Sequence, residues 1–260
     1  MRRRYLFVGS FCGKMKIIGI IPARYDSKRF PGKVLADVAG KSLIQRVYEQ
    51  ASKVKVLDGV LVATDNKEIF KAVENFKGKA IMTSSTCRSG TDRVAEVAKG
   101  LDGDIFVNIQ GDEPLIPPEV ISEVARVLIE DKAINIATVA RRIVAQEELN
   151  NPNVVKVVID NDGFALYFSR AQIPYVRDSL ELESLGSVCC KHIGLYAYRR
   201  NFLLDFVRME QTPLEKVEDL EQLRALENGY KIKVVITERD SVGVDTREDL
   251  EKVRKILSTG

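Results

Sequence analysis

Four cations crowd into one short segment, Arg24, Lys28, Arg29 and Lys33. The segment runs from Ala23 to Lys33 and directly follows an apolar run, Lys16 to Pro22. Guanidinium and ammonium groups beside backbone N–H groups suit a triphosphate. The segment is neither a Walker loop nor a Gly-x-Gly-x-x-Gly turn, and its charge density alone also fits a solvated basic surface. A second group is Gln110-Gly111-Asp112-Glu113-Pro114. A carboxylate beside a glycine at a strand end is well placed for Mg²⁺, although Asp and Pro also make ordinary turns. A third is Val242-Gly243-Val244-Asp245-Thr246-Arg247-Glu248-Asp249. Thr246 and Asp249 have capping-box spacing, so Asp245 or Thr246 reads as a helix cap. The functional reading makes Asp245 a second metal carboxylate. Two hard oxygen ligands from distant segments suit Mg²⁺, with substrate phosphates completing its shell.

Further candidates are less specific. Ser89, Thr91 and Arg93 lie in Arg88-Ser89-Gly90-Thr91-Asp92-Arg93, just before a helical pattern. Hydroxyls and free N–H groups at a helix start bind a base or an anion, or simply cap the helix. Arg170 in Tyr167-Phe168-Ser169-Arg170 can grip a carboxylate bidentately. His192 stands in Lys191-His192-Ile193-Gly194, and a lone histidine is more often structural. Glu215 and the stretch Glu218 to Gln222 offer a polar helix face for sugar hydroxyls, which is also what a solvated face looks like.

These residues need a frame to hold them. Continuous apolar runs predict buried parallel strands at Lys16–Pro22, Gly59–Ala63, Lys79–Met82 and Asp104–Ile109. Between and after them, helical patterns cover Leu43–Val54, a segment opening at Asp65 or Asn66, Asp92–Lys99, and Pro117 to about Ile129. The alternation predicts a Rossmann-like, mixed but mostly parallel sheet with helices on both faces. In such sheets ligands bind beyond the carboxyl ends of the strands. Ile134–Ile143, Val154–Ile159, Phe164–Ser169 and Val188–Tyr198 read as further strands. They predict extra sheet strands and an inserted β-rich lobe at about residues 165–198. One helix is expected over Pro213–Glu227, then a strand at Lys231–Ile236 and a last helix from Asp245 or Thr246 to Leu257. Residues 15–260 read as one domain, and residues 1–14 as a disordered extension or a misassigned start.

The chain has 260 residues, enough for one sizeable core without disulfide staples. Its net charge of +3 is too mild to argue for nucleic acid or a membrane surface. Cys12, Cys87, Cys189 and Cys190 form no Cys-x-x-Cys pair and read as reduced thiols of a cytoplasmic protein. With His192 the only histidine, zinc sites built on two or more histidines are excluded. No apolar stretch is long enough to span a bilayer.

Taken in order, the motifs resemble those of Kdo (3-deoxy-manno-octulosonate) cytidylyltransferases, the CMP-Kdo synthetases. The residues carrying the resemblance are Ile21-Pro22-Ala23-Arg24-Tyr25-x-Ser27-x-Arg29-x-Pro31-Gly32-Lys33, Ser89-Gly90-Thr91-Asp92-Arg93, Asn108-x-Gln110-Gly111-Asp112-Glu113-Pro114 and Asn151-Pro152-Asn153-Val154-Val155-Lys156-Val157-Val158. They continue through Ala165-Leu166-Tyr167-Phe168-Ser169-Arg170, His192-Ile193-Gly194-Leu195-Tyr196, Pro213-Leu214-Glu215, Leu220-Glu221-Gln222-Leu223-Arg224 and Gly243-Val244-Asp245-Thr246. The first motif is shared with sialic acid cytidylyltransferases, whereas the later ones are more particular to the Kdo branch. The resemblance implies a nucleotide-diphospho-sugar transferase fold with an inserted dimerisation lobe, and a homodimer. It implies CTP and Kdo as substrates, with Arg24, Lys33 and Arg29 around the triphosphate. Ser89 and Arg93, with backbone near Ala23, would meet the cytosine or ribose. Gln110, Tyr167, Arg170, His192, Glu215 and Gln222 would form the sugar pocket, Gln110 also facing the nucleotide. Asp112 and Asp245 would hold Mg²⁺, and Arg24, Lys33, Asp112 and Asp245 would be the catalytic set. Two features depart from the pattern: Cys87 stands where family members often have His, and residues 1–14 lie outside it. Another acidic sugar (an amino variant of Kdo or a sialic acid) and a non-catalytic nucleotide-binding module are the competing readings.

Overall fold

A computed structural model describes residues 15–26, 30–177 and 188–259. The N-terminal extension with Cys12, the loop residues Lys28 and Arg29, and residues 178–187 of the expected lobe lie outside the described residues.

Strand β1 (Ile17–Ala23) is an interior strand of the sheet. Ile17 and Ile21 face one hydrophobic cluster, and Ile18 and Ile20 face the other. Burial on both faces is why the strand reads as an unbroken apolar run rather than an alternating one. Each such buried aliphatic side chain contributes roughly 1.5–3 kcal/mol relative to an exposed one. Parallel neighbours flank it: β4 (Gly59–Thr64) on one side and β6 (Ile105–Asn108) on the other. Two two-residue strands, β2 (Asp37–Val38) and β3 (Lys41–Ser42), form a separate hairpin.

The main sheet runs β11-β7-β10-β6-β1-β4-β5, with β5 at Ala80–Met82, β7 at Ile136–Arg142, β10 at Cys189–Arg199 and β11 at Lys233–Thr237. The chain steps outward from β1 through β4 to β5, then returns to the other side of β1 as β6. That reversal is a topological switch point, where the loops after β1 and β6 must diverge and leave a crevice. Pro22, which has no N–H to give, sits just past the last β1–β6 pair, Ile20 with Asn108.

Strand β10 is antiparallel to both β6 and β7. One of its edges pairs with β7 along its length, with an irregularity between Ile193 and Tyr196. It pairs with β6 at Tyr196–Arg199 and, through Cys189 to Lys191, with β8 (Lys156–Ile159), which in turn pairs with β9 (Ala165–Ser169). The expected strands of the middle region are therefore present. The ends of the expected 165–198 lobe, β9 and β10, belong to the main sheet.

Helices α1 (Leu43–Ser52), α4 (Pro118–Glu130) and α9 (Arg247–Thr259) contribute to one cluster. Helix α3 (Gly90–Gly100), a helix α6 that the sequence reading did not foresee (Arg200–Phe206), and α8 (Leu223–Glu227) contribute to the other. The local signals worked as chemistry predicts. Asn66 caps α2 (Lys67–Asn75) by accepting from Glu68 and Ile69 N–H groups, and Pro118 begins α4. A short α5 (Gln146–Asn150) was also not foreseen.

One expectation fails. The single helix over Pro213–Glu227 is two: α7 (Pro213–Glu218) and α8, broken where Asp219 takes a left-handed conformation with φ 51°. Arg170 supplies the reason. Its guanidinium donates to the carbonyls of Glu218 at 2.8 Å and Asp219 at 3.2 Å, while Glu218 accepts from Ser169 Oγ and Arg170 N–H. The cation thus terminates α7 by occupying carbonyls that a continued helix would use.

Candidate active site

A cleft of about 610 Å³ opens at the carboxyl ends of β1 and β6. Its floor is the turn Pro22–Arg24, with Arg24 exposed at the mouth. One wall is Cys87 to Gly90 with Arg93, and the other holds Lys33, Asp112 and Asp245. Gly111 permits the closeness of the two strand ends: a Cβ there would lie 2.9 Å from the Pro22 carbonyl oxygen.

Lys33 begins a short 3-10 turn behind Gly32, whose φ of 70° favours glycine. The turn aims the ammonium inward. Lys33 Nζ donates to Asp112 Oδ2 at 2.7 Å, to the Val244 carbonyl at 2.9 Å and to Asp245 Oδ1 at 3.0 Å. Burial alone would lower the Lys33 pKa, but Asp112 and then Asp245 outweigh it and hold it above its ordinary value. Val244 N–H donates to the Asp112 carbonyl at 2.8 Å, so the two carboxylate-bearing segments are laced together by backbone. Thr246 and Asp249 form the reciprocal cap of α9, with Asp249 N–H donating to Thr246 Oγ1 at 3.2 Å and Thr246 N–H to Asp249 Oδ2 at 3.0 Å. The capping work therefore falls to Thr246 and Asp249, and the Asp245 side chain reaches Lys33 in the cleft.

The segment before Asp245 is anchored as well. Asp240 meets Lys191 Nζ at 3.1 Å and Arg141 Nη2 at 3.2 Å, and Glu148 pairs with both cations. Burial raises the Asp240 pKa, but Lys191 and then Arg141 prevail and hold it low.

The opposite wall is built on the start of α3. Ser89 is the N-cap, its Oγ accepting from Asp92 N–H at 3.1 Å and donating to Glu221 Oε1 at 2.9 Å. Thr91 Oγ1 donates to Glu221 Oε2 at 2.6 Å. Glu221, raised above its ordinary pKa chiefly by burial, joins this wall to the segment after Asp219. The buried Arg93 donates to Asp65 Oδ2 at 2.9 Å and to Thr83 Oγ1. Cys87, at the departure from the family pattern, donates its thiol to Glu96 Oε2 at 3.0 Å. Burial and then Glu96 push that thiol up to about 12, so it is neutral and not a nucleophile at physiological pH.

Of the residues singled out in the sequence, Ala23, Arg24, Lys33, Ser89, Arg93, Gln110, Asp112 and Asp245 line this one cleft. Gln110 also bridges to β10, its Nε2 donating to the Gly194 carbonyl at 2.8 Å. Tyr167, Arg170, His192, Glu215 and Gln222 are not among its lining residues. Tyr167 lies near Glu218, and burial followed by that carboxylate raises its phenol. Arg170 is engaged with main-chain carbonyls as described. Glu215 accepts from Arg224 Nε at 2.8 Å and Nη2 at 2.5 Å, both side chains buried. Gln222 is buried, and its Nε2 has no partner among the described residues. Sequence reasoning gave Asp219 and Glu221 no role beyond the polar face Glu218 to Gln222, and Asp65 and Asp240 no site role at all. Locally each is one more acidic residue, and the partners that give them meaning come from remote segments.

His192 Nε2 lies 2.9 Å from Thr138 Oγ1, with the Phe168 ring edge-on at 5.1 Å between centroids. Burial lowers its pKa from 6.5 to about 3. The unfolded chain therefore binds a proton that the folded state refuses, and stability is lost as pH falls from about 6.5 toward 3. Glu113 has the opposite sign. Burial raises its carboxyl from 4.5 to about 7, so its contribution is present below about 4.5 and lost as pH rises through 7. The difference between wild type and His192→Gln isolates the imidazole. Denaturant melts from pH 7 to 4 are expected to show wild type losing stability relative to the variant by up to about 1.4 kcal/mol per pH unit. Parallel curves would mean that the imidazole is protonated in the folded protein.

Among the described residues no group of three or more His, Cys, Asp or Glu side chains is arranged to hold a metal. Asp112 and Asp245 nevertheless converge on a single cation, the Lys33 ammonium. A pair of hard carboxylates with open positions fits Mg²⁺, which keeps waters and shares its shell with substrate phosphates. It does not fit a closed protein cage of the zinc kind.

Residues 18–232 match the model of a family described as Cytidylyltransferase. The chain belongs to the cytidylyltransferase family. It is thus a nucleotidyltransferase. Curated relatives named 3-deoxy-manno-octulosonate cytidylyltransferase include those of Geotalea uraniireducens, 54% identical over 94% of this chain and 99% of the relative, and Trichlorobacter lovleyi, 50% identical over 95% and 100%. A solved structure of CMP:2-keto-3-deoxy-manno-octonic acid synthetase complexed with CTP superposes with TM-score 0.88 at 42% identity, covering 94% of this chain and 99% of that one. A 4-diphosphocytidyl-2C-methyl-D-erythritol synthase from Anaerococcus prevotii shares the fold, with TM-score 0.62 at 18% identity.

Proposed function

We propose that this protein transfers the cytidylyl group of CTP to the anomeric hydroxyl of Kdo, forming CMP-Kdo for lipopolysaccharide biosynthesis. The observation that carries the reading is the meeting of Lys33, Asp112 and Asp245 in the switch-point cleft, opposite the α3 start. It is supported by relatives about half identical over nearly the whole chain and named for Kdo. The anomeric oxygen attacks the α-phosphorus in line. One P–O bond forms to the sugar, the bond to the β-phosphate oxygen breaks, pyrophosphate leaves, and the hydroxyl proton passes to solvent. Such a displacement asks for positioning and neutralisation rather than a protein nucleophile.

In this reading the Ala23–Arg24 turn, Arg24 and Arg29 hold the triphosphate, and Lys33 offsets charge on the α-phosphate or leaving group. Ser89 and Arg93 face the nucleoside, with Asp65 fixing the Arg93 guanidinium. Gln110, Tyr167, Arg170, His192, Glu215 and Gln222 form or support the sugar side. A bound Mg²⁺, held by Asp112 and Asp245, would stabilise negative charge on the reacting phosphate. The protein is read as a cytoplasmic homodimer. No described helix is long and apolar enough to cross a membrane. Among the described residues, six exposed large apolar side chains fall between Val144 and Val217 in the sequence, with Tyr175 88% and Val217 83% exposed, which suits a partner surface there.

The test is pyrophosphate release from CTP and Mg²⁺ with Kdo, with a sialic acid, and with no sugar. Release that depends on Kdo is the expected result. Release only with another acidic sugar would overturn the substrate, and silence with all despite CTP binding would overturn catalysis.

A further inference from the structure

Lys33 presents an ammonium where a metal is expected. Among the described residues its nitrogen donates to three oxygens, two of them on the carboxylates read as metal ligands, at 2.7 to 3.0 Å. These are hydrogen-bond distances, longer than the 2.0–2.1 Å of Mg²⁺ to oxygen, but they converge on the same space. The Lys33 side chain is only 11% exposed, whereas those of Asp112 and Asp245 are 32% and 51% exposed. The ammonium therefore sits beneath the two carboxylates, screening them from each other. A divalent ion bridging both oxygens at coordination distance would stand next to that fixed positive charge. The repulsion between a dication and an ammonium at such range is large even with strong dielectric screening.

We infer that Lys33 is an exchangeable occupant of the cation site: in the nucleotide-free protein its ammonium holds the place between Asp112 and Asp245, and a metal ion bridges them only as Lys33 moves toward the triphosphate. The inference rests on the reading of these two carboxylates as metal ligands. Lys33 lies on the same cleft as the Ala23–Arg24 turn, so a phosphate oxygen arriving there offers the ammonium a new acceptor. Nucleotide and metal then bind with positive coupling, because each relieves the cost of the other's arrival. The metal-free site stays neutralised instead of placing two carboxylates face to face. Bare Mg²⁺ is kept from settling there without substrate.

The test is Mn²⁺ binding to nucleotide-free protein, followed by the electron paramagnetic resonance signal of free Mn²⁺, for wild type, Lys33→Met, Lys33→Gln and Lys33→Arg. Lys33→Met and Lys33→Gln are expected to bind Mn²⁺ about tenfold or more tightly than wild type, whereas Lys33→Arg, which retains the charge, stays weak. The gain should vanish in Lys33→Met/Asp112→Asn, and anomalous scattering from crystals of Lys33→Met should place Mn²⁺ between Asp112 and Asp245. Equal Mn²⁺ affinity in wild type and both neutral variants overturns the exchange, as does a gain that survives loss of Asp112. Turnover of Asp112→Asn separates the two failures. If it is abolished while Mn²⁺ affinities are equal, the exchange alone is wrong; if it is normal, the reading of the carboxylates falls too.

Discussion

Asp112→Asn is expected to lower turnover with CTP and Kdo by at least ~10²-fold at saturating Mg²⁺, the scale of losing one preorganised electrostatic group. The substitution keeps the shape of the side chain. It also keeps the Asp112 main-chain carbonyl that receives Val244 N–H at 2.8 Å, so the lacing of the two segments survives. What it removes is one negative charge from the pair around Lys33. A melting temperature close to wild type with turnover down by this factor would place the loss in the chemistry. Near-normal turnover at saturating Mg²⁺ would reject Asp112 as a metal ligand.

Arg224→Met is expected to destabilise the fold by about 3–5 kcal/mol, the usual cost of orphaning one member of a buried ion pair. Arg224 and Glu215 are both nearly inaccessible, and the pairing is bidentate. Burial would raise the Glu215 pKa, but Arg224 outweighs it and holds the carboxyl below its ordinary value. Without Arg224 the carboxylate faces the Phe206 ring region, over which the guanidinium now lies at 4.9 Å. For a chain of this size the melting temperature should fall by on the order of 10 °C. Glu215→Gln/Arg224→Met should recover much of the loss, because it removes the buried charge along with its partner. A single variant that melts like wild type would show that Glu215 takes up a proton or reaches water at little cost.

The sequence is most readable where one physical signal suffices. Ile17 to Ile21 announces a strand covered on both faces, Asn66 and Ser89 announce helix starts, and Asp112 beside Gly111 announces a carboxylate at a strand end. Eight of the chosen residues line one cleft because topology brings the ends of β1 and β6 together. Legibility fails where meaning depends on a remote partner. Nothing local to Asp219 says that Arg170 will end a helix there, since the carbonyls it takes lie 48 and 49 positions away. Glu221 reads as one more acid on a polar face until Ser89 and Thr91 are placed against it. The same holds for Asp240, whose partners Arg141 and Lys191 come from β7 and β10. Helix α6 was missed because Arg200 to Phe206 directly continues the β10 run, with no turn residue between them.

Strand β6 is covered on one edge by β1, which precedes it in the chain, and on the other by β10, which begins only at Cys189. On the ribosome β1, β4, β5 and β6 are therefore made long before the outer edge of β6 has a partner. At about 5–20 residues per second, the apolar edge Ile105–Asn108 waits for seconds with unpaired N–H and C=O groups. An uncovered strand of this kind is a template for pairing with another chain. Truncation before β10 should leave not a smaller working domain but an adhesive one, and the antiparallel strand whose Gly194 carbonyl holds Gln110 in the finished protein is also what closes the open edge of β6 during synthesis.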